Sequence, residues 1–398
     1  MSFLSRRIQN IKPSATLSVT QKANELRAAG IDVISLSAGE PDFDTPDFIK
    51  KASYEALEKG ASKYTNIDGL VELKKAIQKK FSSENQINYE LNEIMVNPGV
   101  KFGIYAAMMA TLDEGDEVII PTPYWPSYLD IVVVAGGTPV EVFCPIMKLT
   151  ADQLEKAITP KTKWLLLNSP SNPSGVVYSR EEYEQIAAVL RKHPHVHILS
   201  DEIYEHLVYE GVRFYSFAHV APDLKDRTLT LNGVSKAYAM TGWRIGYAAG
   251  SVSLIKAMCK LQSQSTSNPT TISQHAAIEA LTGPQDCLTE FRDTYARRRK
   301  LMVDMLQQIK GFSCQVPEGA FYTFPDIHAL MGLKTPQGKT LSSDIDVSEY
   351  LLEEARVATV PGSAFGQPHH LRLSFATSDI IIEKALDRIK QAIEQLHN

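Results

Sequence analysis

Short apolar runs alternate with longer segments of helical periodicity through the middle of the chain, and this alternation constrains the fold more than any other feature. Continuous apolar strands separated by helices are typical of a mostly parallel sheet that is covered on both faces. The pattern therefore predicts an α/β protein. The apolar and β-branched runs predict six strands, over residues 117–120, 139–143, 163–167, 196–199, 228–231 and 244–248.

The length of 398 residues exceeds what one ordinary core accommodates, so we expect more than one domain. Residues 46–290 contain the predicted sheet and would form a large domain with a predicted helix over 180–192. Residues 291–398 would form a smaller α+β domain, and residues 1–45 an N-terminal arm and part of that small domain. Helical periodicity outside the large domain covers residues 19–29, 291–309, 347–356 and 380–396.

Composition excludes several classes of partner. The net charge is −5, so no basic excess points to nucleic acid or to an anionic membrane. The four cysteines form no C-x-x-C pair, which favours reduced thiols and predicts neither a disulfide framework nor a metal site. The beginning of the chain lacks a secretory pattern, and the longest apolar runs are too short to span a bilayer. We expect a cytoplasmic protein.

Polar signatures follow three of the predicted strands. Residues 168–175 follow one strand, residues 201–204 the next, and residues 232–236 a third. Ligands of open α/β sheets bind beyond the carboxyl ends of the strands. The three segments therefore predict one ligand site at this edge of the sheet.

Lys236 and Asp201 are the residues of these segments that suggest covalent chemistry. A lysine desolvated near another cation, such as Arg244, loses basicity and becomes a usable imine-forming nucleophile, although most lysines are simply solvated. Asp201 ends an apolar strand, and a buried carboxylate needs a partner such as a protonated pyridine nitrogen. The alternative for Asp201 is a helix N-cap. Tyr204 and Asn172 lie where they could reach the oxygen of such a ring.

Three further positions offer contacts to a ligand. Gly99 precedes a helical pattern, so free backbone N–H groups there suit a phosphate. Trp125 follows a strand and would either stack on an aromatic ligand or pack in the core. Arg372 alternates with apolar neighbours in a predicted strand, and an inward arginine needs an anion. That anion is either a substrate carboxylate or a structural ion-pair partner.

Together these residues resemble the class I aminotransferases of the fold-type I pyridoxal-phosphate family. The subgroup they resemble contains bacterial and archaeal-type aspartate aminotransferases, some of which also act on prephenate. The resemblance extends over nearly the whole chain and implies a homodimer with shared active sites. It is carried by residues 12–16, 37–43, 63–65, 168–175, 235–246 and 372.

The resemblance implies that Lys236 forms an imine with pyridoxal 5'-phosphate and shuttles the α-proton, and that Arg372 binds the substrate α-carboxylate. The implied cofactor contacts are Lys236, Asp201, Tyr204, Asn172, Trp125, Arg244, Gly99, Val100, Lys101 and, from the partner subunit, Tyr64. The implied substrate contacts are Gly39, Trp125, Asn172, Arg372, Lys101, Lys12, Ser14 and Thr16. One position departs from the family: Gly233 stands where many relatives have a phosphate-binding serine, so a side-chain contact there is in doubt.

The same resemblance suggests the substrates. Lys101 matches a lysine for the distal carboxylate of acidic substrates, with Thr16 and Ser14 near the same group, and Lys12 matches a position linked to prephenate use. A solvated helix-start lysine is the alternative for Lys101. We expect amino transfer from L-aspartate to 2-oxoglutarate by a ping-pong mechanism, with prephenate or glutamate as further substrates.

Three other functions compete with this prediction. The first is an aminotransferase for aromatic or alanine-type donors, or a relative that catalyses elimination. The second is a cofactor-binding regulator without turnover, which the absence of a basic patch disfavours. The third is a nicotinamide dehydrogenase, which would need G-x-G-x-x-G after its first strand; the sequence has no such motif.

Overall fold

The computed structural model describes residues 3–11 and 15–398, apart from the side chains of residues 6, 15–18 and 20. Its strands, in chain order, are β1 (Ile34–Ser35), β2 (Ile94–Asn97), β3 (Glu117–Pro121), β4 (Thr138–Val142), β5 (Thr162–Asn168), β6 (His197–Asp201), β7 (Thr228–Gly233), β8 (Gly246–Ala249), β9 (Tyr322–Thr323), β10 (Val357–Ala358), β11 (Val360–Pro361) and β12 (Leu371–Ser374).

Helices separate most of these strands. The α-helices are α1 (Arg6–Gln9), α2 (Ala15–Ala28), α3 (Asp47–Glu58), α4 (Val71–Glu84), α5 (Val100–Thr111), α6 (Ser127–Ala135), α7 (Ala151–Ala157), α8 (Arg180–Lys192), α9 (Phe217–Val220), α10 (Val252–Ser263), α11 (Thr271–Thr282), α12 (Asp286–Leu306), α13 (Asp344–Tyr350) and α14 (Asp379–Glu394). Within the described ranges, no helix is long and apolar enough to cross a membrane.

A seven-stranded sheet with the order β2-β8-β7-β6-β5-β3-β4 forms the centre of the molecule. Strands β3 to β7 run parallel to one another, whereas β8 runs antiparallel to both β2 and β7. The predicted mostly parallel sheet is confirmed. Residues buried on its two sides belong to separate apolar clusters, one around Leu166 and Leu199 and the other around Leu165 and Ile198.

Local sequence signals set the helix ends where they are strong. Helix α8 begins at Arg180 as predicted, because Ser179 accepts a hydrogen bond from the backbone N–H of Glu182 and the Glu182 side chain accepts one in return. It ends at Lys192, with basic residues in its last turn.

The strand predicted over 244–248 is wrong at its start. Arg244 has φ 55°, a left-handed conformation that closes the short 3₁₀ helix Thr241–Trp243, and β8 begins two residues later at Gly246. An apolar neighbour at Ile245 made Arg244 resemble a strand residue. Arg244 therefore lies in the turn before β8 and not within the sheet.

Two small sheets form outside the central sheet, and one of them joins the two ends of the chain. Strand β1 pairs in parallel with β10, and β12 pairs antiparallel with both β11 and β9. Arg372 lies on β12, and Tyr322 lies on the adjacent β9. The C-terminal part of the chain thus carries both residues into the cavity described below.

The parallel strands end together at one edge of the sheet. Asn168, the last residue of β5, is in register with Asp201, the last residue of β6. Strand β7 ends at Gly233, and a turn follows that carries Lys236. This is the edge that the sequence predicted as a ligand site.

A pair of glycines lets helix α5 begin directly against this edge. Gly233 of β7 is in register with Gly246 of β8. A Cβ atom on Gly246 would overlap the backbone N of Val100 and lie 2.7 Å from the backbone carbon of Gly99, and a Cβ atom on Gly233 would lie 2.9 Å from the Ile245 oxygen. The close approach therefore excludes side chains at both positions, including a serine at 233.

We expect Gly246→Ala to lower the free energy of unfolding by about 1–3 kcal/mol, because backbone atoms at the start of α5 must move to admit a methyl group. Gly242→Ala is the matched control, since no atom lies within 4 Å of the position its Cβ would take. Urea unfolding of both variants checks this. Equal stability of the two would show that α5 does not press on the glycine pair.

Candidate active site

A cavity of about 510 Å³ opens at the carboxyl edge of the central sheet. It is large enough for a small cofactor together with a substrate. It brings together ten of the residues predicted from the sequence: Gly39, Val100, Lys101, Trp125, Asn172, Asp201, Tyr204, Lys236, Arg244 and Arg372.

Lys236 is a desolvated amine. Its Nζ donates a hydrogen bond to the backbone oxygen of Gly39 and lies 5.9 Å from the Tyr204 ring centre and 5.7 Å from the Phe321 ring centre. Burial lowers the pKa of Lys236 to about 8, and the nearby carboxylate of Glu40 opposes part of that shift. The solvated-lysine alternative is therefore wrong. More of this amine is therefore uncharged and nucleophilic near neutral pH than in a solvated lysine.

Asp201 is a buried carboxylate with one strong donor. Tyr128 donates its hydroxyl to Oδ2 at 2.7 Å, and the backbone N–H of Ile203 approaches Oδ1 at 3.3 Å. Burial raises the pKa of Asp201 to about 6, and these hydrogen bonds oppose the shift. The helix-cap alternative is wrong, because β6 ends at Asp201 and turn residues follow it.

Arg372 is a buried guanidinium that faces the cavity, with 1% of its surface exposed. It donates to Asn172 Oδ1 at 3.0 Å and to the backbone oxygen of Ser37 at 2.6 Å. In the part of the chain that the structure describes, no Asp or Glu side chain pairs with it, and its Nε has no partner. The structural ion-pair alternative is therefore wrong. A buried guanidinium of this kind suits the carboxylate of a ligand.

Two tyrosine hydroxyls meet in the cavity. Tyr204 and Tyr322 share a hydrogen bond of 2.9 Å, and the Arg372 guanidinium lies 4.5 Å from the Tyr322 ring centre. A Cβ atom on Gly39 would lie 2.9 Å from the Tyr322 hydroxyl, which explains why glycine occupies position 39. Tyr322 thus lies against Tyr204, Arg372 and Gly39. These residues were predicted to contact the ring oxygen, to bind the substrate carboxylate and to close over the substrate.

The N-terminus of helix α5 forms an anion-binding corner. Gly99 precedes α5 with φ 91°, and no side chain caps the first backbone N–H groups. The Arg244 guanidinium packs on Gly99, where a Cβ atom would overlap it, and donates to the Thr241 oxygen at 2.8 Å. Free N–H groups and a guanidinium at one point are suited to a phosphate.

Lys101 and Trp125 lie together on another wall of the cavity. The Lys101 amine lies 4.6 Å from the Trp125 ring centre, and the indole is packed edge-on against Tyr128 at 5.4 Å. Burial lowers the pKa of Lys101, the Arg244 charge lowers it further, and Asp130 opposes both. Neither a fully solvated lysine nor a fully buried tryptophan describes this pair, because both side chains line the cavity.

The remaining predicted residues lie elsewhere. The side chain of Tyr64 is 89% exposed and does not line the cavity of its own chain. Lys12 and Ser14 lie outside the described residues. Thr16 belongs to helix α2, and its side chain is likewise outside the description.

Sequence reasoning missed the other ten residues that line the cavity, among them Tyr128, Tyr322, Glu40 and Thr241. Glu40 accepts a hydrogen bond from the Thr241 hydroxyl across the cavity mouth. The available signals were weak, since Tyr128 stands three residues after Trp125 and Tyr322 belongs to an aromatic run at 321–324. Both tyrosines also read as ordinary core residues.

A cluster of potential metal ligands lies apart from the cavity lining. Glu84, Glu205 and His206 place ligand atoms within 4.8 Å of one another. The ammonium group of Lys80 forms an ion pair with Glu205, and Asn85 donates to the same carboxylate at 2.8 Å. A cation therefore already balances this cluster, which we interpret as an ion-pair network.

Comparison with known proteins places this geometry in a family. The family model for aminotransferase class I and II matches residues 31–389. A protein from Rickettsia felis named probable aspartate/prephenate aminotransferase is 55% identical over 395 residues, which cover 98% of this chain and 97% of the relative. The chain therefore belongs to the class I and II aminotransferases, and the predicted resemblance is confirmed.

Solved structures show the same fold. The crystal structure of an aspartate aminotransferase from Rhizobium meliloti matches with a TM-score of 0.97 and 53% identity, and it covers 100% of both chains. An aspartate aminotransferase from Thermus thermophilus, solved with maleate, matches with a TM-score of 0.92 and 44% identity, over 98% of this chain and all of that one. The fold-type I architecture predicted from the resemblance is thereby confirmed.

The lowered pKa of Lys236 gives a prediction for the protein prepared without added cofactor. Deprotonation produces the nucleophile, so imine formation with pyridoxal should increase with pH through a midpoint near 8. A free lysine would have its midpoint at about 10.4. The measurement is borohydride trapping at a series of pH values, followed by peptide mapping of position 236. A midpoint above 9.5 would contradict the desolvated state of this amine.

Proposed function

We propose that this chain is a pyridoxal-phosphate-dependent aspartate aminotransferase that transfers the amino group of L-aspartate to 2-oxoglutarate by a ping-pong mechanism. The observation that carries the proposal is the convergence of three buried ionisable groups on one cavity: the Lys236 amine, the Asp201 carboxylate and the Arg372 guanidinium. Lys236 would supply a nucleophile, Asp201 a counter-charge and Arg372 a receptor for the substrate carboxylate. The names of the relatives support aspartate as the donor.

The cavity residues fit pyridoxal phosphate. The anion-binding corner at Gly99, Val100 and Arg244 would hold the phosphate. Asp201, buried and reached by hydrogen bonds on both oxygens, would face the ring nitrogen. Lys236 would provide the amine for the aldehyde.

Other cavity residues would hold the rest of the ring. Tyr204 and Asn172 would contact the ring oxygen, and Trp125 would stack on the ring face. Gly233 would contribute no side chain to the phosphate, because a Cβ atom there meets the β8 backbone. Main-chain N–H groups and Arg244 would take that role.

The mechanism follows from how these side chains would act on a bound amino acid. Pyridoxal phosphate supplies, when bound, an electron-accepting ring that stabilises negative charge at the substrate α-carbon. Arg372 would fix the α-carboxylate and so orient the α-hydrogen. The Lys236 amine, whose pKa burial lowers to about 8, would accept the α-proton and return it. Closure of Gly39 over the substrate would exclude water.

Lys101 supports an acidic substrate. Its amine lines the same cavity as Arg372, so a dicarboxylate could bind one cation at each end. Prephenate is a second candidate substrate, favoured by the relative from Rickettsia felis whose name includes it. Lys12, the residue linked to that activity, stays a prediction from the sequence.

The assembly and domain division also belong to the proposal. Tyr64 is almost fully exposed in the single chain, which supports its predicted role in the site of a partner subunit. We propose a homodimer on this basis. The predicted division into residues 1–45, 46–290 and 291–398 is retained, supported by the pairing of β1 with β10. Location in the cytoplasm stays a prediction.

We expect Lys236→Ala to reduce turnover of aspartate and 2-oxoglutarate by more than roughly 1,000-fold, because it removes both the nucleophile and the proton carrier. Turnover is measured by a coupled oxaloacetate assay. Thermal unfolding confirms that the variant folds. Turnover within about tenfold of the unmodified protein would refute the proposed function.

We expect Lys101→Ala to raise KM for aspartate by roughly 10- to 100-fold, the effect of losing one charge-assisted hydrogen bond. KM for alanine should change by less than about threefold, because alanine has no distal carboxylate. Lys260→Ala, an exposed lysine of α10, is the control for loss of one positive charge. Equal changes in KM for both donors would remove the basis for acidic specificity.

A further inference from the structure

The hydroxyl of Tyr128 donates a hydrogen bond to Asp201, the carboxylate that would face the ring nitrogen of the cofactor. Its oxygen is 2.7 Å from Asp201 Oδ2, and both residues are buried, with 1% and 3% of their surfaces exposed. A phenol donates only one hydrogen, so this hydrogen is committed to Asp201. The contact joins residues 73 positions apart in the chain.

Tyr128 itself is held firmly. It lies in the first turn of helix α6 and packs edge-on against Trp125 with an interplanar angle of 89°. Its position therefore depends on the helix and on the proposed stacking residue. Because the phenol ring makes this contact, a phenylalanine at 128 would keep the packing and lose only the hydrogen bond.

The carboxylate has few other supports. Oδ1 receives the backbone N–H of Ile203 at the longer distance of 3.3 Å. Burial alone favours the neutral acid, whereas a hydrogen bond donated to a carboxylate favours its charged form. A neutral acid at this place could not pair with a protonated ring nitrogen. The charge of Asp201 therefore depends on its donors.

We propose that Tyr128 is a positioning residue for the reaction, which keeps the Asp201 carboxylate ionised and oriented toward the ring nitrogen of the cofactor. The inference rests on the proposed function, because it presupposes pyridoxal phosphate in the cavity. Tyr128 itself would not contact the reacting atoms. Its action on the cofactor passes through Asp201.

Tyr124 provides a matched control four residues earlier. Its hydroxyl donates to Glu141 Oε2 at 2.6 Å, so it also forms a short phenol–carboxylate hydrogen bond. It is buried as well, with 6% of its surface exposed, and it does not line the cavity. Tyr124→Phe therefore removes a phenol–carboxylate hydrogen bond, here to the exposed Glu141, without removing the donor to Asp201.

The test measures equilibrium binding to the full chain freed of cofactor. The two probes are pyridoxal phosphate and its analogue with carbon in place of the ring nitrogen. We expect Tyr128→Phe to weaken binding of pyridoxal phosphate by roughly tenfold, the usual effect of one hydrogen bond to a charged group, and to change binding of the carbon analogue less than threefold. Tyr124→Phe should leave the ratio of the two dissociation constants within twofold.

Equal weakening of both probes by Tyr128→Phe would overturn the proposal, because it would show a purely structural role. An additional effect of Tyr128→Phe on that ratio in an Asp201→Asn background would overturn it too, since the tyrosine would then act independently of the carboxylate. No additional effect in that background supports it.

A second measurement serves if Tyr128→Phe does not fold. The infrared difference spectrum between the unmodified protein and Asp201→Asn, both loaded with pyridoxal phosphate, reports whether Asp201 is protonated at neutral pH. An ionised carboxylate supports the proposal, and a protonated one overturns it.

Borohydride trapping at Lys236 in the unmodified protein distinguishes failure of the proposed function from failure of the inference about Tyr128. The absence of a trapped pyridoxyl group refutes the proposed function itself. Trapping together with an unchanged ratio of dissociation constants refutes only the role of Tyr128.

Discussion

The structure depends on keeping three ionisable side chains out of water at the edge of a sheet. Burying an unpaired charge is costly unless a partner is supplied, and the described part of the chain supplies little for Arg372 beyond an amide and a carbonyl oxygen. The same burial lowers the pKa of Lys236 and raises that of Asp201. Under the proposed function, desolvation would prepare the nucleophile, the counter-charge and the carboxylate receptor together, and a bound amino acid with its cofactor would supply the missing partners.

Two separate sheets present the residues of the site. The parallel sheet presents Asp201 and Lys236 from the ends of β6 and β7, whereas the C-terminal sheet presents Arg372 and Tyr322 from β12 and β9. Recognition of the substrate carboxylate and the chemistry at its α-carbon would therefore come from different parts of the fold. The hydroxyl pair of Tyr322 and Tyr204 bridges them. Movement of one sheet relative to the other would alter both functions at once.

Much of the fold could be predicted because its signals are local. Apolar runs predicted the parallel strands, and the Ser179 capping box and the basic last turn of α8 agree with the two predicted ends of that helix. Arg244 was misassigned to a strand, because its left-handed conformation is set by the turn before it and not by its apolar neighbour. Tyr128 and Tyr322 were missed for a different reason. Their partners lie 73 and 118 positions away, and no local periodicity encodes a hydrogen bond over such a separation.

The glycine pair at positions 233 and 246 has a consequence for how firmly the site would retain its ligand. Because the glycine pair admits the start of α5 so closely, main-chain amides and the Arg244 guanidinium would hold the anion, without a side chain at position 233. Burial shifts the pKa values of the two groups that would act on the ring and the substrate, that of Asp201 to about 6 and that of Lys236 to about 8. Acidification below these values would therefore remove the negative charge of Asp201 and the free base of Lys236, whereas the main-chain donors to the anion would stay unchanged.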